Sequence, residues 1–198
     1  MKKYAFAGAG GRATTMFAVP LAKEYGDVAQ IVGVFDPNRK RCEALAKRTE
    51  TEIPLYTDFD TMLEETKPDV VIVATVDRYH HEYIVRALHA GCDVISEKPL
   101  TIDDEKCRAI LKAQEQTGKK VTVTFNVRFM PFVTRIKELI HEGCVGDILS
   151  VHFEWMLDTE HGADYFRRWH RKKENSGGLL VHKATHHFDM VNWLIDDE

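Results

Sequence analysis

An acid, a base and a proline close one apolar run of the sequence. Residues 94–100 read VISEKPL, so Glu97, Lys98 and Pro99 follow what looks like a buried strand. A lysine at such a place can orient a substrate hydroxyl and share in proton transfer, and the proline fixes the backbone that aims it. A surface Glu–Lys pair at a turn explains the tripeptide alone at least as well, so the chemistry needs a second group.

The second group is a pair of histidines in the stretch GGLLVHKATHHFD, residues 177–189. His182 and His186 are four residues apart, which predicts that a helix presents both on one face. The spacing suggests zinc, as in H-E-x-x-H, but Lys183 stands where the glutamate would be, so metal binding is disfavoured. A histidine that accepts the proton of a substrate hydroxyl suits the same face. Capping or core histidines are the alternative.

A glycine-rich turn near the N-terminus predicts a dinucleotide site. The turn reads GAGGRA at residues 8–13 and fits G-x-G-x-x-[GA]. Gly8 permits the tight turn, Gly10 lets a pyrophosphate approach the backbone, and Ala13 allows the following helix to pack closely on the strand. The free N–H groups at the start of that helix attract the phosphate charge.

An acid at the end of the second predicted strand strengthens this interpretation. Asp36 lies roughly twenty residues beyond the turn, where a carboxylate binds the adenine-side ribose hydroxyls. Asp36 favours NAD, and a simple turn residue before Pro37 is the weaker alternative. Arg39 follows closely with two more basic residues, any of which can hold a 2′-phosphate, so NADP stays open.

The elements that position these residues alternate between short apolar runs and helical periods, which predicts α/β architecture with a parallel sheet. The strands are predicted at Tyr4–Ala7, Ala29–Phe35, Val70–Ala74, Asp93–Ser96 and Val121–Thr124. The helices are predicted at Met16–Tyr25, Arg39–Arg48, Phe59–Thr66, Glu82–Ala90 and Asp103–Thr117. Together they form a doubly wound Rossmann unit that ends near residue 125.

A different pattern follows in residues 126–198. It predicts a helix at Pro131–His141, one long alternating strand at Asp147–Leu157 and a last helix from about Thr185 to Ile195. A lone strand has no partner for its edges and no cover for its apolar face. We therefore expect a chain cut short, or one whose missing strands come from another chain.

Composition excludes several classes of function. The 198 residues are 44% hydrophobic with a net charge of −4, the balance of a soluble globular protein, and no nucleic-acid partner is indicated. No apolar run approaches the roughly 18 residues of a membrane span. The N-terminal lysines and apolar stretch only weakly suggest a signal peptide, because glycines interrupt them. Four scattered cysteines without a CxxC pair predict free thiols and a cytoplasmic location.

These features together resemble the Gfo/Idh/MocA family, which includes glucose–fructose oxidoreductase and inositol dehydrogenase. The resemblance runs over essentially the whole chain. The motifs that carry it are the glycine turn with Asp36, residues 75–80 after the fourth strand, Glu97–Pro99, NVRFMP at 126–131 and the GGLL…H…D helix. It implies a Rossmann domain at 1–125 and, at 126–198, the truncated start of an α/β domain with a mostly antiparallel sheet. The open face of that sheet often makes an oligomer contact, so a homo-oligomer is expected for the full-length form.

The resemblance also implies site residues. Lys98 and His186 are expected around the nicotinamide and the substrate, with His182 in the place of the family's aspartate in D-x-x-x-H. Glu97 is expected as an anchor and His80 on the nicotinamide side. The full cofactor-binding set predicted is Gly8, Gly10, Gly11, Arg12, Ala13, Asp36, Arg39, Thr75, His80, Glu97, Lys98 and Asn126.

The activity implied is transfer of a hydride between a sugar or polyol hydroxyl and NAD. His186 takes the hydroxyl proton, Lys98 polarises the oxygen, and hydride passes to the nicotinamide. Arg168, Trp169 and Lys183 are the candidate substrate residues, Trp169 by stacking on the sugar, although a solvated loop explains the charged stretch equally well. Which sugar is used stays open.

Two other functions are compatible with the sequence. One is an NAD-dependent glycosidase, in which transient oxidation of the sugar weakens the bond before NADH is re-oxidised. The other is a regulator that binds a dinucleotide without turnover, which the replaced aspartate favours. Retention of Lys98 and His186 argues against the regulator, because a pure binder needs neither side chain.

Overall fold

The computed structural model describes residues 1–196, without the side chain of residue 161. The chain divides into two compact units, the first being Met1–Val123 and the second starting at Thr124. Within the described residues, no helix combines the length and the apolar character that a membrane crossing requires.

The first unit is built on one parallel sheet of six strands. Its order is β3-β2-β1-β4-β5-β6, with β1 in the centre and the direction of winding reversing beside it. The carboxyl ends of β1 and β4 therefore lie next to each other, which is where doubly wound folds bind their ligands. The strands are β1 (Lys2–Ala7), β2 (Ala29–Phe35), β3 (Leu55–Tyr56), β4 (Val70–Val73), β5 (Asp93–Ser96) and β6 (Val121–Val123).

Both faces of this sheet are covered, because successive residues of a strand point to opposite sides. In β1, Ala5 and Ala7 pack into one core cluster and Phe6 into the other. In β4, Val71 and Val73 join the first cluster and Ile72 joins the second. Apolar residues on both faces are the signature of buried parallel strands.

Three of the five helices of the first unit, α2, α3 and α5, start at polar caps. Asn38, Asp58 and Asp103 each accept a hydrogen bond from a backbone N–H of the first turn, which satisfies donors that have no helical partner. Gly118 ends the longest helix in the left-handed conformation that glycine adopts freely. The helices are α1 (Val19–Lys23), preceded by a π-helical stretch at Ala13–Ala18, α2 (Arg39–Thr49), α3 (Phe59–Thr66), α4 (His80–His89) and α5 (Asp104–Thr117).

The second unit is helical in the described residues. Its core is small, with Val127, Val133 and Met190 buried together. The two long helices have the predicted bounds, and the charged stretch between them forms short helices and turns rather than a plain loop. The helices are α6 (Pro131–His141), α7 (Thr159–Gly162), α8 (Asp164–Arg167), α9 (Lys173–Ser176), α10 (Leu179–His182) and α11 (Thr185–Ile195).

The long strand predicted at 147–157 is wrong for this structure, which assigns no strand there. The residues are exposed, and among the described residues no neighbouring strand pairs with them. Alternation of polar and apolar residues creates a face for a sheet, but a strand exists only where a neighbour accepts its hydrogen bonds. Two of its rings do pack on another part of the unit, since the ring centroids of Phe153 and Trp155 lie 5.4 and 5.1 Å from that of His187.

Candidate functional site

The glycine turn after β1 is pressed against the neighbouring strand end. Gly8 has φ +98°, and a Cβ added to it would lie 2.6 Å from the carbonyl oxygen of Ala74. No side chain fits there without moving backbone. At Gly10 and Gly11, by contrast, an added Cβ meets nothing within 4 Å. The turn is therefore closed toward the protein and open on its other side, as a turn that receives a pyrophosphate must be.

Asp36 ties this turn to the end of β2. Its carboxylate is buried and accepts hydrogen bonds from the backbone N–H of Ala9 (3.1 Å) and of Asn38 (2.9 Å). Arg41 approaches the same carboxylate at 3.9 Å from an exposed position. Asp36 thus fixes the turn as well as standing where ribose recognition is predicted, and the sequence did not show this double role.

Arg12 links the turn to the strand end that carries Lys98. Its Nε donates to Glu97 Oε1 at 2.8 Å, although 85 residues separate the two in the chain. Glu97 is 6% exposed, and its second oxygen accepts from the backbone N–H of Lys98 at 3.2 Å. The acid of the tripeptide is therefore an internal anchor, and it organises the backbone of the lysine that follows it.

The imidazole of His80 connects the backbone that follows β4 to the backbone that follows β5. It is 1% exposed, and its ring nitrogens lie 2.9 Å from the Pro99 oxygen and 3.3 Å from the Thr75 oxygen. Carbonyl oxygens only accept, so the nearer nitrogen, Nδ1, carries a hydrogen. His80 was predicted to line the nicotinamide side. In the structure its ring holds the backbone beside Lys98, so its effect on a cofactor would pass through that backbone.

Removing this imidazole is expected to destabilise the first unit. His80→Ala leaves the buried Pro99 carbonyl without its donor, which costs about 1–3 kcal/mol, and adds a cavity. Urea unfolding followed by circular dichroism measures the loss. His89→Ala, at an exposed position on the same helix, is the matched control and should change little. Equal stability of the two variants would refute the role given to His80.

A thiol beside Asp36 gives a pH-dependent prediction. Burial, and then the charge of Asp36, raise the pKa of Cys42 from 9.0 to about 11. The unfolded thiol loses its proton first, so the free energy of unfolding should fall between pH 9 and 11 and be unaffected by this group below that range. Cys42→Ala should flatten the slope relative to Cys144→Ala, whose thiol is exposed. Identical slopes in the two variants would contradict the assignment.

In the second unit, His182 and His186 do not share one helix face, contrary to the prediction. Helix α10 ends at His182 and α11 begins at Thr185. The Ala184 N–H bonds back to the Leu179 oxygen, and the next helical ladder starts from the Ala184 oxygen. This break in the hydrogen-bond ladder turns the two imidazoles toward different neighbours.

Each histidine is buried in an aromatic setting of its own. His182 is 8% exposed and packs against the rings of Tyr165, Trp169 and His170, at 5.5, 5.4 and 4.7 Å between centroids. His186 is 5% exposed and meets Phe125 edge-on at 6.0 Å. Both are placed by packing, which holds an imidazole in one orientation.

A partly buried ion pair that the sequence analysis missed fixes the helix of His186. Asp189, three residues along α11, accepts from Arg128 Nε at 2.7 Å and from a second guanidinium nitrogen, and its side chain is 7% exposed. Hydrogen bonding to Asp189 raises the pKa of Arg128 further. Such bidentate pairs add geometric specificity. The R in NVRFMP and the D in HHFD were the available signals.

Four further predicted residues have surroundings of their own. Arg39 is exposed and pairs with Glu43 on α2. Arg168 pairs with Asp164 at 2.9 Å. Lys183 lines an apolar cavity of about 600 Å³ whose walls include Trp155, Phe166, Leu179 and Leu180. Asn126 begins a short 3-10 turn before α6.

The structure thus brings one predicted group together within the first unit. The turn, Asp36, Thr75, His80 and the Glu97–Pro99 segment form one connected edge at the carboxyl ends of β1, β2, β4 and β5. Its open side, at Gly10 and Gly11, leaves the backbone uncovered where a pyrophosphate is predicted to approach. The residues present therefore fit the predicted cofactor.

Comparison with known proteins gives a family match over most of the chain. Residues 2–125 match "Oxidoreductase family, NAD-binding Rossmann fold", and residues 137–198 match "Oxidoreductase family, C-terminal alpha/beta domain". The dinucleotide of this Rossmann fold is NAD. The second match ends at the last residue of the chain as given.

Individual relatives agree with this match. YteT of Bacillus subtilis (strain 168) carries a provisional name as an oxidoreductase. It is 43% identical to this chain over 197 residues, which cover 98% of this chain and 46% of that protein. The D-glucoside 3-dehydrogenase of Escherichia coli (strain K12) is 32% identical over 166 residues, 84% of this chain and 46% of the relative. This chain therefore spans about half the length of the curated relatives it matches.

A solved structure with a similar fold is the WlbA dehydrogenase from Chromobacterium violaceum in complex with NADH and UDP-GlcNAcA. It has a TM-score of 0.84 and 25% identity, covering 98% of this chain and 55% of that one. Taken with the two family matches, this likeness leads to one conclusion: the chain belongs to the Gfo/Idh/MocA family of oxidoreductases.

Proposed function

We propose that this chain supplies the cofactor site and part of the substrate site of an NAD-dependent oxidoreductase acting on a hydroxyl of a sugar or polyol. The observation that carries the proposal is Lys98. It stands at the carboxyl end of β5, one strand away from the β1–β4 junction, on backbone fixed by Glu97 and His80. A side chain that takes part in a reaction must be held in a defined position, and these contacts fix the backbone from which Lys98 projects.

The residues of the first unit are assigned as follows. The open backbone at Gly10 and Gly11 and the start of the following helix receive the pyrophosphate, and Asp36 receives the ribose hydroxyls. Bound NAD supplies a hydride acceptor. Arg12 keeps Glu97 in place and offers a cation beside the turn, while Thr75 closes the turn from the β4 side.

The chemical roles are divided between two side chains. Lys98 polarises the oxygen of the reacting hydroxyl, and its ammonium stabilises the negative charge that develops there. His186 accepts the hydroxyl proton, in the orientation that its packing against Phe125 gives it. His182 takes the position of the family's aspartate, where the rings of Tyr165, Trp169 and His170 hold its imidazole in one orientation.

For the domain organisation, we propose a dinucleotide-binding domain at 1–125 and the beginning of a substrate domain at 126–198. The segment 147–157 becomes a strand of a mostly antiparallel sheet once partner strands are present. Its exposed apolar residues at alternate positions, among them Leu149, Val151 and Phe153, would share one face of such a strand and support this role.

A second candidate is a reaction that uses oxidation only transiently. A relative from Mediterraneibacter gnavus, 28% identical over 170 residues, is named 2,7-anhydro-N-acetylneuraminate hydratase, a name that describes no net oxidation. The NAD-dependent glycosidase considered from the sequence belongs to the same kind of chemistry.

One experiment separates these functions. The 198-residue chain and the full product of its gene are titrated with NAD and NADP, then incubated with NAD and a panel of sugars, polyols and glycosides. The proposal expects NAD to bind both forms and NADH to accumulate only with the full product. Release of sugar without NADH would favour transient oxidation. Binding without any turnover would favour a regulator, and full turnover by the 198-residue chain would contradict the divided site.

A further inference from the structure

The strongest concentration of charge in the second unit lies beside His182. The segment from α8 to α9 reads YFRRWHRKK, and five of its nine residues are cations. Arg168 is paired with Asp164, but Arg167, Arg171, Lys172 and Lys173 make no ion pair with any described residue. Four uncompensated positive charges in so short a segment repel one another, which a bound anion would relieve.

The cations are exposed, and they surround two open hollows of the surface. One cavity, of about 450 Å³, has Arg171 and Lys173 in its wall together with His170 and His182. A second, of about 630 Å³, is lined by Arg167, Arg168, Arg171 and Lys172 around Trp169. Neither wall contains an aspartate or glutamate. Both volumes are in the range of small-molecule sites.

Arg171 stands at the junction, since it is the cation that lines both cavities. A guanidinium presents a planar fork of donors that matches a carboxylate or a phosphate. Next to it, the indole of Trp169 lines the second cavity, and an aromatic ring of this kind can stack on a sugar. A charged fork beside a stacking platform fits a sugar that carries an acidic group.

We propose that the substrate is an anionic sugar, and that Arg171, supported by Lys173 and Arg167, binds its carboxylate or phosphate. This inference rests on the proposed function and narrows its substrate class. Arg171 was not among the predicted substrate residues. Arg168, which was, has its charge offset by Asp164.

The test compares matched sugars that differ only in charge. The full gene product, with NAD present, is titrated by calorimetry with glucuronate and galacturonate, with glucose and galactose, and with glucose 6-phosphate. At least one anionic sugar should bind tenfold or more tightly than its neutral counterpart, and the preference should shrink as salt is added. If the uronates show the larger gain in affinity over the neutral sugar, the site recognises a carboxylate. If glucose 6-phosphate does, the site recognises a phosphate.

Variants connect the preference to the residue. Arg171→Gln should cost roughly ten- to a hundredfold in affinity for the anionic sugar and little for the neutral one. Arg171→Lys should recover part of the loss, because it keeps the charge without the fork. Arg135→Gln removes an exposed arginine of α6 in the same unit and should leave the preference intact.

Two outcomes would overturn the inference. In the first, no anionic sugar binds more tightly than its neutral counterpart, or no anionic sugar binds at all. In the second, the preference for the anionic sugar persists in Arg171→Gln. NADH production is scored separately on the same sugars. Turnover of neutral sugars without an anion preference would refute the anionic substrate and leave the oxidoreductase standing. Tight binding of an anionic sugar without NADH production would support the anionic ligand and refute the oxidoreductase.

Discussion

Replacing Lys98 with methionine should lower turnover of the full gene product by about 10²- to 10³-fold, the range expected when a group that stabilises the charge developing on the reacting oxygen is lost. Methionine keeps the length and removes the charge. The free energy of unfolding should change much less than turnover, because the Glu97 carboxylate and the His80 ring still hold the backbone of this edge in the variant.

Two further variants make this result specific. Lys98→Arg keeps a cation that cannot give up its proton, so it separates electrostatic polarisation from proton transfer. Lys112→Met removes an exposed lysine from α5 and serves as the control. Normal turnover by Lys98→Met in the presence of NAD would rule out the chemistry assigned here.

The second large effect is expected at Gly8. In Gly8→Ala the new methyl would lie 2.6 Å from a backbone oxygen on a residue with φ +98°. Overpacking costs about 1–3 kcal/mol and the strained conformation a similar amount. A loss of about 2–6 kcal/mol follows, a large share of the stability of an ordinary domain. Urea unfolding monitored by circular dichroism measures it, and NAD binding should disappear with it.

Two neighbouring glycines separate folding from binding. A Cβ at Gly10 or Gly11 meets nothing within 4 Å, so both alanine variants should fold as stably as the parent chain. Gly10→Ala nevertheless places a methyl where the pyrophosphate approaches, and NAD affinity should fall sharply. Gly11→Ala, on the same open stretch of backbone, should weaken NAD binding as well. Loss of stability in Gly10→Ala, or unchanged stability in Gly8→Ala, would contradict the geometry described for the turn.

The elements that could be predicted are those with a strong local signal. The strands Ala29–Phe35 and Asp93–Ser96 and the helices Phe59–Thr66 and Pro131–His141 have the predicted bounds, because each combines an apolar period with a clear start or stop. Strand β3 was missed, since two residues after Pro54 carry no period. The π-helical stretch before α1 was missed as well, since its residues read as an ordinary helix.

Individual residues of the site could be predicted from the sequence, but the contacts between them could not. Motif spacing identifies Gly8, Asp36 and Lys98. It says nothing of the bond between Arg12 and Glu97, which joins positions 85 residues apart, or of the ring of His80 between two strand ends. Such links follow from strand order, which periodicity does not encode. The error at 147–157 has a related cause, since a strand depends on partners elsewhere in space.

The most direct test of the central claim is a calorimetric titration of NAD into the 198-residue chain, with Gly10→Ala titrated beside it. We predict saturable one-to-one binding by the parent chain and its loss in Gly10→Ala at unchanged stability. Absence of NAD binding by the well-folded parent chain, or equal binding by the variant, would contradict the assignment of a dinucleotide site to the turn at residues 8–13.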